Sequence, residues 1–235
     1  LHHPDDDAFV EADFHRVNVC GTQILLDAAA SAGCKAFVYT STTSLMITSA
    51  TKELMLCGKC VWCDESAPHD LPRNKYGRTK YAAEQLCLCA PLPVVVLRPS
   101  RFFAEEMREP TPGLSLANDK ANELLGRRVA LRDVVDAHLR ALARLPVIAG
   151  RIFVVSAPTG LAKEDLPRMP EASGLIEERF PRAAAAFAKH GWVLPTSILR
   201  IYDSSAALAE DGLDWQPEWT FSTLVARLES GCECS

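Results

Sequence analysis

Tyr76 and Lys80 stand four residues apart in Tyr76-Gly77-Arg78-Thr79-Lys80. That spacing puts both side chains on one face of a helix. Ahead of them, Phe37-Val38-Tyr39 runs into a hydroxyl cluster, Thr40-Ser41-Thr42-Thr43-Ser44. The apolar run reads as a buried strand ending in that cluster. A hydroxyl donor, a phenol and an ammonium are the parts needed to move a proton at a carbonyl or alcohol carbon. A free tyrosine, titrating near ~10, is a poor base at neutral pH, and a nearby ammonium favours its phenolate. Two plainer readings stand beside this one: a solvated helix face for Tyr-x-x-x-Lys, and strand-end capping for the Ser/Thr cluster.

The elements that must position these residues alternate. Helical periodicity runs over about 9–32, through Val17, Ile24, Leu25, Ala28 and Ala29, with Gly33 as the stop. Residues 35–40 read as a strand, followed by a polar, cysteine-bearing loop to about Arg73. A helix over 74–89 carries Tyr76, Lys80, Ala83 and Leu86. Pro91-Leu92-Pro93 breaks it, and Val94-Val95-Val96-Leu97 is a β-branched strand ended by Arg98-Pro99. Helix, strand, helix, strand implies a parallel sheet with crossover helices. Further on, 118–125 reads as helix, 128–131 as a short strand, 133–145 as helix and 151–155 as strand. Beyond Pro158 come short helical pieces punctuated by prolines, among them an alanine-rich helix over 183–189 stopped by Gly191.

The 235 residues suffice for one sizeable domain, or a domain with a small appendage. At 48% hydrophobic and 23% charged, the composition is that of a globular protein. A net charge of -5 argues against a nucleic-acid partner, and no apolar run approaches the roughly 18 residues of a membrane span. The opening, Leu1-His2-His3-Pro4-Asp5-Asp6-Asp7, is polar and acidic rather than a secretory signal, so a cytoplasmic setting with reduced thiols is expected.

Five segments in order resemble the extended short-chain dehydrogenase/reductases, and among them the NAD-dependent epimerase/dehydratase family. They are Phe14-His15-Arg16-Val17-Asn18-Val19-Cys20-Gly21-Thr22, Phe37 to Ser44, Tyr76 to Lys80 with Ala83-Glu84, Leu97-Arg98-Pro99-Ser100, and Arg132-Asp133-Val134-Val135-Asp136-Ala137-His138. Leu213-Asp214-Trp215-Gln216-Pro217 adds a resemblance to the family's C-terminal Leu-Gly-Trp-x-Pro turn, with Asp where Gly is usual. The resemblance implies an α/β, Rossmann-like doubly wound parallel sheet with a small C-terminal substrate-binding lobe. The cofactor-binding part is expected over 1–101, and the substrate lobe over 102–235 with returning Rossmann elements near 128–155. The family's opening strand, Gly-x-x-Gly-x-x-Gly turn and helix have no counterpart here. The chain is accordingly expected to be a C-terminal portion beginning just after the fourth strand, with the N-terminal half of the sheet missing. Two βαβ units of about 30 residues each would account for it.

The same resemblance implies catalytic roles for Tyr76 (acid/base), Lys80 (tuning the phenol and holding the nicotinamide ribose) and Thr42 (hydrogen-bonding the reacting oxygen). It places Asn18, Ser41, Pro99 and Ser100, with Tyr76 and Lys80, near an NAD or NADP cofactor. Thr42, Thr43 and Arg101 are the substrate-side residues. The implied activity is hydride transfer on a nucleotide sugar or a small carbonyl or alcohol. A 3β-hydroxysteroid-dehydrogenase-like or flavonol-type reductase is an alternative, and a non-catalytic truncated paralogue or binding module is another. Dinucleotide binding by the chain as it stands is expected to be weak, because the phosphate turn supplies helix-dipole and N–H contacts. The partner is a small-molecule substrate, with a homodimer possible through the helices over 9–32 and 74–89.

Cys57-x-x-Cys60-x-x-Cys63 is the rival signal, since three thiols at this spacing resemble a zinc or iron–sulfur seed needing a fourth ligand such as His69. The family has no such metal there, and reduced loop thiols with no bound metal are the expectation.

Overall fold

The computed structural model describes residues 8–102 and 110–231. Cys232 and Cys234 lie outside the described residues. The first helical stretch is assembled from α1 (Glu11–Phe14), a π-helical segment (His15–Cys20) and α2 (Gly21–Ser31). Next come β1 (Phe37–Thr40), a 3₁₀ turn (Thr43–Met46), α3 (Ser49–Leu56), β2 (Val61–Cys63), α4 (Lys75–Leu88) and β3 (Val94–Pro99). The second part holds α5 (Leu116–Glu123), α6 (Leu131–Ile148), β4 (Ile152–Val155), α7 (Ser173–Arg179) and α8 (Ala183–Lys189). β5 (Arg200–Tyr202), α9 (Ser205–Leu208) and α10 (Phe221–Ser230) complete it.

β1, β3 and β4 form a parallel sheet in the order β1-β3-β4, with Tyr39 opposite Val96 and Leu97 opposite Phe153. β3 is central and buried along its whole length, as its β-branched composition requires. Its side chains alternate between two layers. Val94 and Val96 pack with Tyr39 against Leu26 of α2 and Ala83 and Cys87 of α4. Val95 and Leu97 pack with Phe153 against Val134, Ala137, Ala141 and Leu145 of α6. Helices therefore cover both faces of a parallel sheet, which is a Rossmann-like α/β arrangement. Each fully buried side chain of this kind stabilises the fold by about 1.5–3 kcal/mol.

Three sequence expectations change. The region 41–73 is not a plain loop. Thr48 and Thr51 cap each other's backbone at the start of α3, and Val61-Trp62-Cys63 forms β2, paired parallel with β5. Residues 128–131 do not make a strand. Arg128 bridges only Arg101 in sheet fashion, and the helical dihedrals of α6 take over at Leu131. β5 and α10, which periodicity alone left unresolved, pack with α5, α7 and α8 around a separate cluster that includes Leu125, Ile176, Phe187, Ile201 and Phe221.

The C-terminal turn returns to α6. Trp215 is 1% exposed, and its indole N–H donates to the Asp133 carbonyl at 3.0 Å. The Asp133 carboxylate accepts the Glu218 and Trp219 N–H groups, each at 3.0 Å. Asp214, just before Trp215, has φ 51°. That left-handed conformation explains the glycine usual there in the family, and Asp is among the few other residues that tolerate it.

Candidate active site

α4 begins where Asn74 Oδ1 accepts the Gly77 N–H at 2.6 Å, an N-cap of the kind asparagine favours. The cap fixes Tyr76 in the first turn, and Lys80 and Glu84 follow on the same face at successive turns. Tyr76 is 7% exposed. Burial pushes its phenol up, and a hydrogen bond with the Thr42 side chain draws it back. Thr42 has extended backbone at the head of the 3₁₀ turn, and its hydroxyl accepts the Ser44 N–H at 3.1 Å. That leaves the hydroxyl proton for the Tyr76 oxygen.

Lys80 reaches the C-terminal end of β1. Its Nζ donates to the Thr40 carbonyl at 2.7 Å and lies 4.2 Å from the centre of the Tyr39 ring. Burial pushes the ammonium down to about 8, with Cys87 and Glu84 acting in the opposite sense. Tyr76 and Thr42 are thus brought together by α4 and the turn after β1, while Lys80 reaches the Thr40 carbonyl two residues before Thr42.

The remaining candidates sit around this centre. Ser41 is buried and donates its hydroxyl proton to Glu84 Oε2 at 2.8 Å. The Thr43 hydroxyl donates to the Pro99 carbonyl at 3.4 Å. Ser100 is 3% exposed, and its Oγ has no hydrogen-bond partner among the described residues. The Asn18 amide donates to Thr79 Oγ1 at 3.1 Å, tying the π-helical segment to α4 one residue from Lys80. Arg101 Nη1 pairs with Glu123 Oε1 at 2.6 Å.

Four residues to which spacing and resemblance assign no role belong to the same region. Glu84 and Arg98 form a buried ion pair across α4 and β3, 0% and 2% exposed at the side chains. Arg127 and Arg200 join Arg101, Thr42 and Tyr76 in lining a cleft of about 1880 Å3. Glu123 receives Arg101, Arg127 and Arg128 together. Burial, with Arg200 and Arg101 nearby, pulls Arg127 down despite Glu123. Arg200 Nε is buried without a hydrogen-bond partner among the described residues. The arginines draw no notice in sequence because their convergence depends on how β5 folds back beside the end of α5.

The cysteine segment reads differently in three dimensions. Cys57 is exposed at the end of α3, Cys60 is half-buried and Cys63 is buried in β2. Burial pushes Cys60 up to about 12 and Cys63 up to about 11, which disfavours the thiolate that a metal requires. Among the described residues, no three His, Cys, Asp or Glu side chains converge on a cation position. Among those residues, too, no helix is long and apolar enough to cross a membrane.

The residues present fit one part of a nicotinamide dinucleotide. An ammonium at a strand end, a phenol hydrogen-bonded to a threonine and the orphaned Ser100 hydroxyl suit the nicotinamide and its ribose. No Gly-x-x-Gly-x-x-Gly turn occurs in the sequence to receive the pyrophosphate.

Residues 10–148 match the model of the NAD-binding family described as male sterility protein. The chain is 36% identical over 105 residues to dTDP-D-glucose 4,6-dehydratase of Mus musculus. That alignment covers 42% of this chain and 26% of the mouse protein, so the match spans about a quarter of that relative's length. Among solved structures, RMD from Pseudomonas aeruginosa complexed with NADPH superposes with a TM-score of 0.56 at 21% identity, covering 100% of this chain and 79% of that one. The DesIV double mutant, a dTDP-glucose 4,6-dehydratase from Streptomyces venezuelae with NAD and DAU bound, gives 0.55 at 19% identity over 96% and 70% of the two chains. UDP-glucuronic acid 4-epimerase from Bacillus cereus in complex with NAD gives 0.53 at 18% identity over 91% and 67%. At those identities the structures share the fold. The family match covers more than half the chain and takes in α4 with both Tyr76 and Lys80. The chain therefore belongs to the extended short-chain dehydrogenase/reductases, in the NAD-dependent epimerase/dehydratase group.

Proposed function

We propose that this chain supplies the proton-transfer centre and substrate cleft of an NAD(P)-dependent epimerase/dehydratase or oxidoreductase acting on a nucleotide sugar. The observation that carries the reading is the hydrogen bond between Tyr76 and Thr42, within a cleft both residues line. Tyr76 removes the hydroxyl proton as the sugar carbon is oxidised and returns it when a carbonyl is reduced. Thr42 holds the reacting oxygen, and Lys80 places positive charge beside the phenol, favouring phenolate. A bound nicotinamide dinucleotide, NAD or NADP, supplies the hydride acceptor. Lys80 would hold its ribose, and the Pro99–Ser100 turn would approach the nicotinamide.

Charge supports a phosphorylated substrate. Arg101, Arg127 and Arg200 line one side of the cleft with the carboxylates of Glu123 and Asp119, and Glu123 is already shared among Arg101, Arg127 and the buried Arg128. A diphosphate relieves that crowding, and guanidinium groups match its geometry. Residues 1–101 then act as the cofactor side and 102–235 as the substrate lobe, in a cytoplasmic setting where the thiols stay reduced.

The test is turnover. The protein is incubated with saturating NAD or NADP and a panel of UDP-, GDP- and dTDP-sugars, with reduced nicotinamide and epimerised or dehydrated sugar as readouts. Tyr76→Phe removes only the hydroxyl and is expected to lower kcat by about 10²–10⁴-fold while the melting temperature stays close to wild type. A folded Tyr76→Phe protein with wild-type turnover overturns the assignment. Tight sugar-nucleotide binding with no turnover in wild type identifies a binding module instead.

A further inference from the structure

Glu84 and Arg98 are buried and do not line the cleft, yet they tie together α4, which carries Tyr76 and Lys80, and the ends of β1 and β3 beside Thr42 and Ser100. Arg98 Nη2 lies 2.6 Å from Glu84 Oε1, and Arg98 Nε donates to Glu84 Oε2 at 3.1 Å. Ser41 donates to the same Oε2 at 2.8 Å. The third Arg98 nitrogen, Nη1, donates to the Glu65 carbonyl at 3.1 Å and to the Ala67 carbonyl. One ion pair thus joins α4, the end of β1, the end of β3 and the segment after β2.

Stability alone does not account for such a pair. Taking two charges out of water costs about as much as their attraction returns, and apolar side chains of similar volume often serve the fold as well or better. What apolar side chains cannot supply is a fixed negative charge and a directional bidentate lock. Glu84 is one helical turn beyond Lys80 and two beyond Tyr76, so the lock sets the rotation of the face that presents both. We propose that Glu84, fixed by Arg98 and Ser41, is a positioning residue of this site, setting the charge state of Lys80 from one turn further along α4. The inference rests on the role given to Lys80 under Proposed function, and it is testable without turnover.

The groups that face Lys80 are the Thr40 carbonyl, the Tyr39 ring, Cys87 and Glu84. Burial disfavours the ammonium and Glu84 supports it. Removing the negative charge therefore frees more neutral amine. Competitive acylation read by mass spectrometry measures that amine directly, because only the unprotonated form reacts. In folded Glu84→Gln, labelling of Lys80 at pH 7 is expected to rise about threefold or more over wild type. In Arg98→Met, Glu84 keeps its negative charge and the bond from Ser41, and the competing guanidinium is gone, so labelling is expected to stay level or fall.

The opposite responses separate positioning by charge from a plain structural pin. Loosening the packing alone raises labelling in both variants together. Unchanged labelling in Glu84→Gln, or a parallel rise in both, overturns the proposal. Should either neutral variant melt below the assay temperature, Glu84→Asp keeps the charge on a shorter arm. Wild-type labelling in that variant supports the proposal, and a rise overturns it. Absence of sugar-nucleotide turnover, by contrast, overturns the functional reading and leaves these labelling results intact.

Discussion

Lys80 is the group whose titration reaches closest to neutral pH in this site. Its folded value, about 8, lies below the ~10.4 of a free lysine because burial penalises the charge. The ammonium is present below that value and is lost as pH rises through it. If Lys80 supports the Tyr76 phenolate, kcat/KM should show an alkaline limb near pH 8, since that parameter reports the free protein. Lys80→Arg keeps its charge well above this range, so the limb should move upward or vanish, even if the absolute rate falls. A pH profile of the variant identical to wild type would assign the limb to another group. Tyr76 and Lys80 were legible in sequence because they lie one helical turn apart, and Thr42 because it sits in a hydroxyl cluster after an apolar run that resembles the family's. Glu84 and Arg98 were visible as letters within recognised segments but not as partners. They are separated by 14 residues, and their meeting depends on how α4 packs against the end of β3. Arg127 and Arg200 lie further apart still, and no spacing rule links them.

At the scale of elements, α4 is held close to the 3₁₀ turn after β1, and Gly77 is what permits it. A Cβ at that position would meet the Asn74 side-chain oxygen at 2.9 Å, the Pro72 Cβ at 3.0 Å and the Ser44 carbonyl at 3.1 Å. Two of the three contacts belong to groups the backbone holds in place. Gly77→Ala should therefore push the first turn of α4 away from Ser44 and widen the separation of Tyr76 and Thr42. The expected cost is about 1–3 kcal/mol of stability from overpacking, read as a lowered melting temperature. Turnover should fall on the order of 10²-fold, as for small displacements of a reacting group. A variant with wild-type stability and rate would show that α4 does not need this approach. The long elements were readable because their periodicity extends over many residues, as in α6, whose buried Val134, Ala137, Ala141 and Leu145 share one face. β2 and β5 are three residues each, too short to display alternation, and each gains its ladder only from the other. The stretch over 128–131 shows the converse: apolar letters suited to a strand gave way to a helix start that carries Asp133 in its first turn.

For the whole molecule, the described sheet ends at β1, whose outer side pairs with no other described strand. Large apolar side chains stand exposed on the helices that flank the sheet: Ile24 and Leu25 on α2, and Leu131, Val135, Leu139 and Leu142 along α6. An open parallel edge framed by apolar helix faces favours pairing with another chain. The protein as described is expected to associate, so its mass by light scattering should rise with concentration. A constant monomer mass over the accessible range would show that edge and faces are protected in solution. The β2–β5 ladder has a different bearing. β2 comes from the stretch between α3 and α4, and β5 follows the helices of the second lobe, so both walls of the cleft share a hydrogen-bonded seam. Opening the cleft along that seam would unpair the β2–β5 backbone, so its walls are expected to hold their spacing. Ligands must enter a shape already made, and selectivity then rests on fit and charge in the resting molecule rather than on closure around the guest.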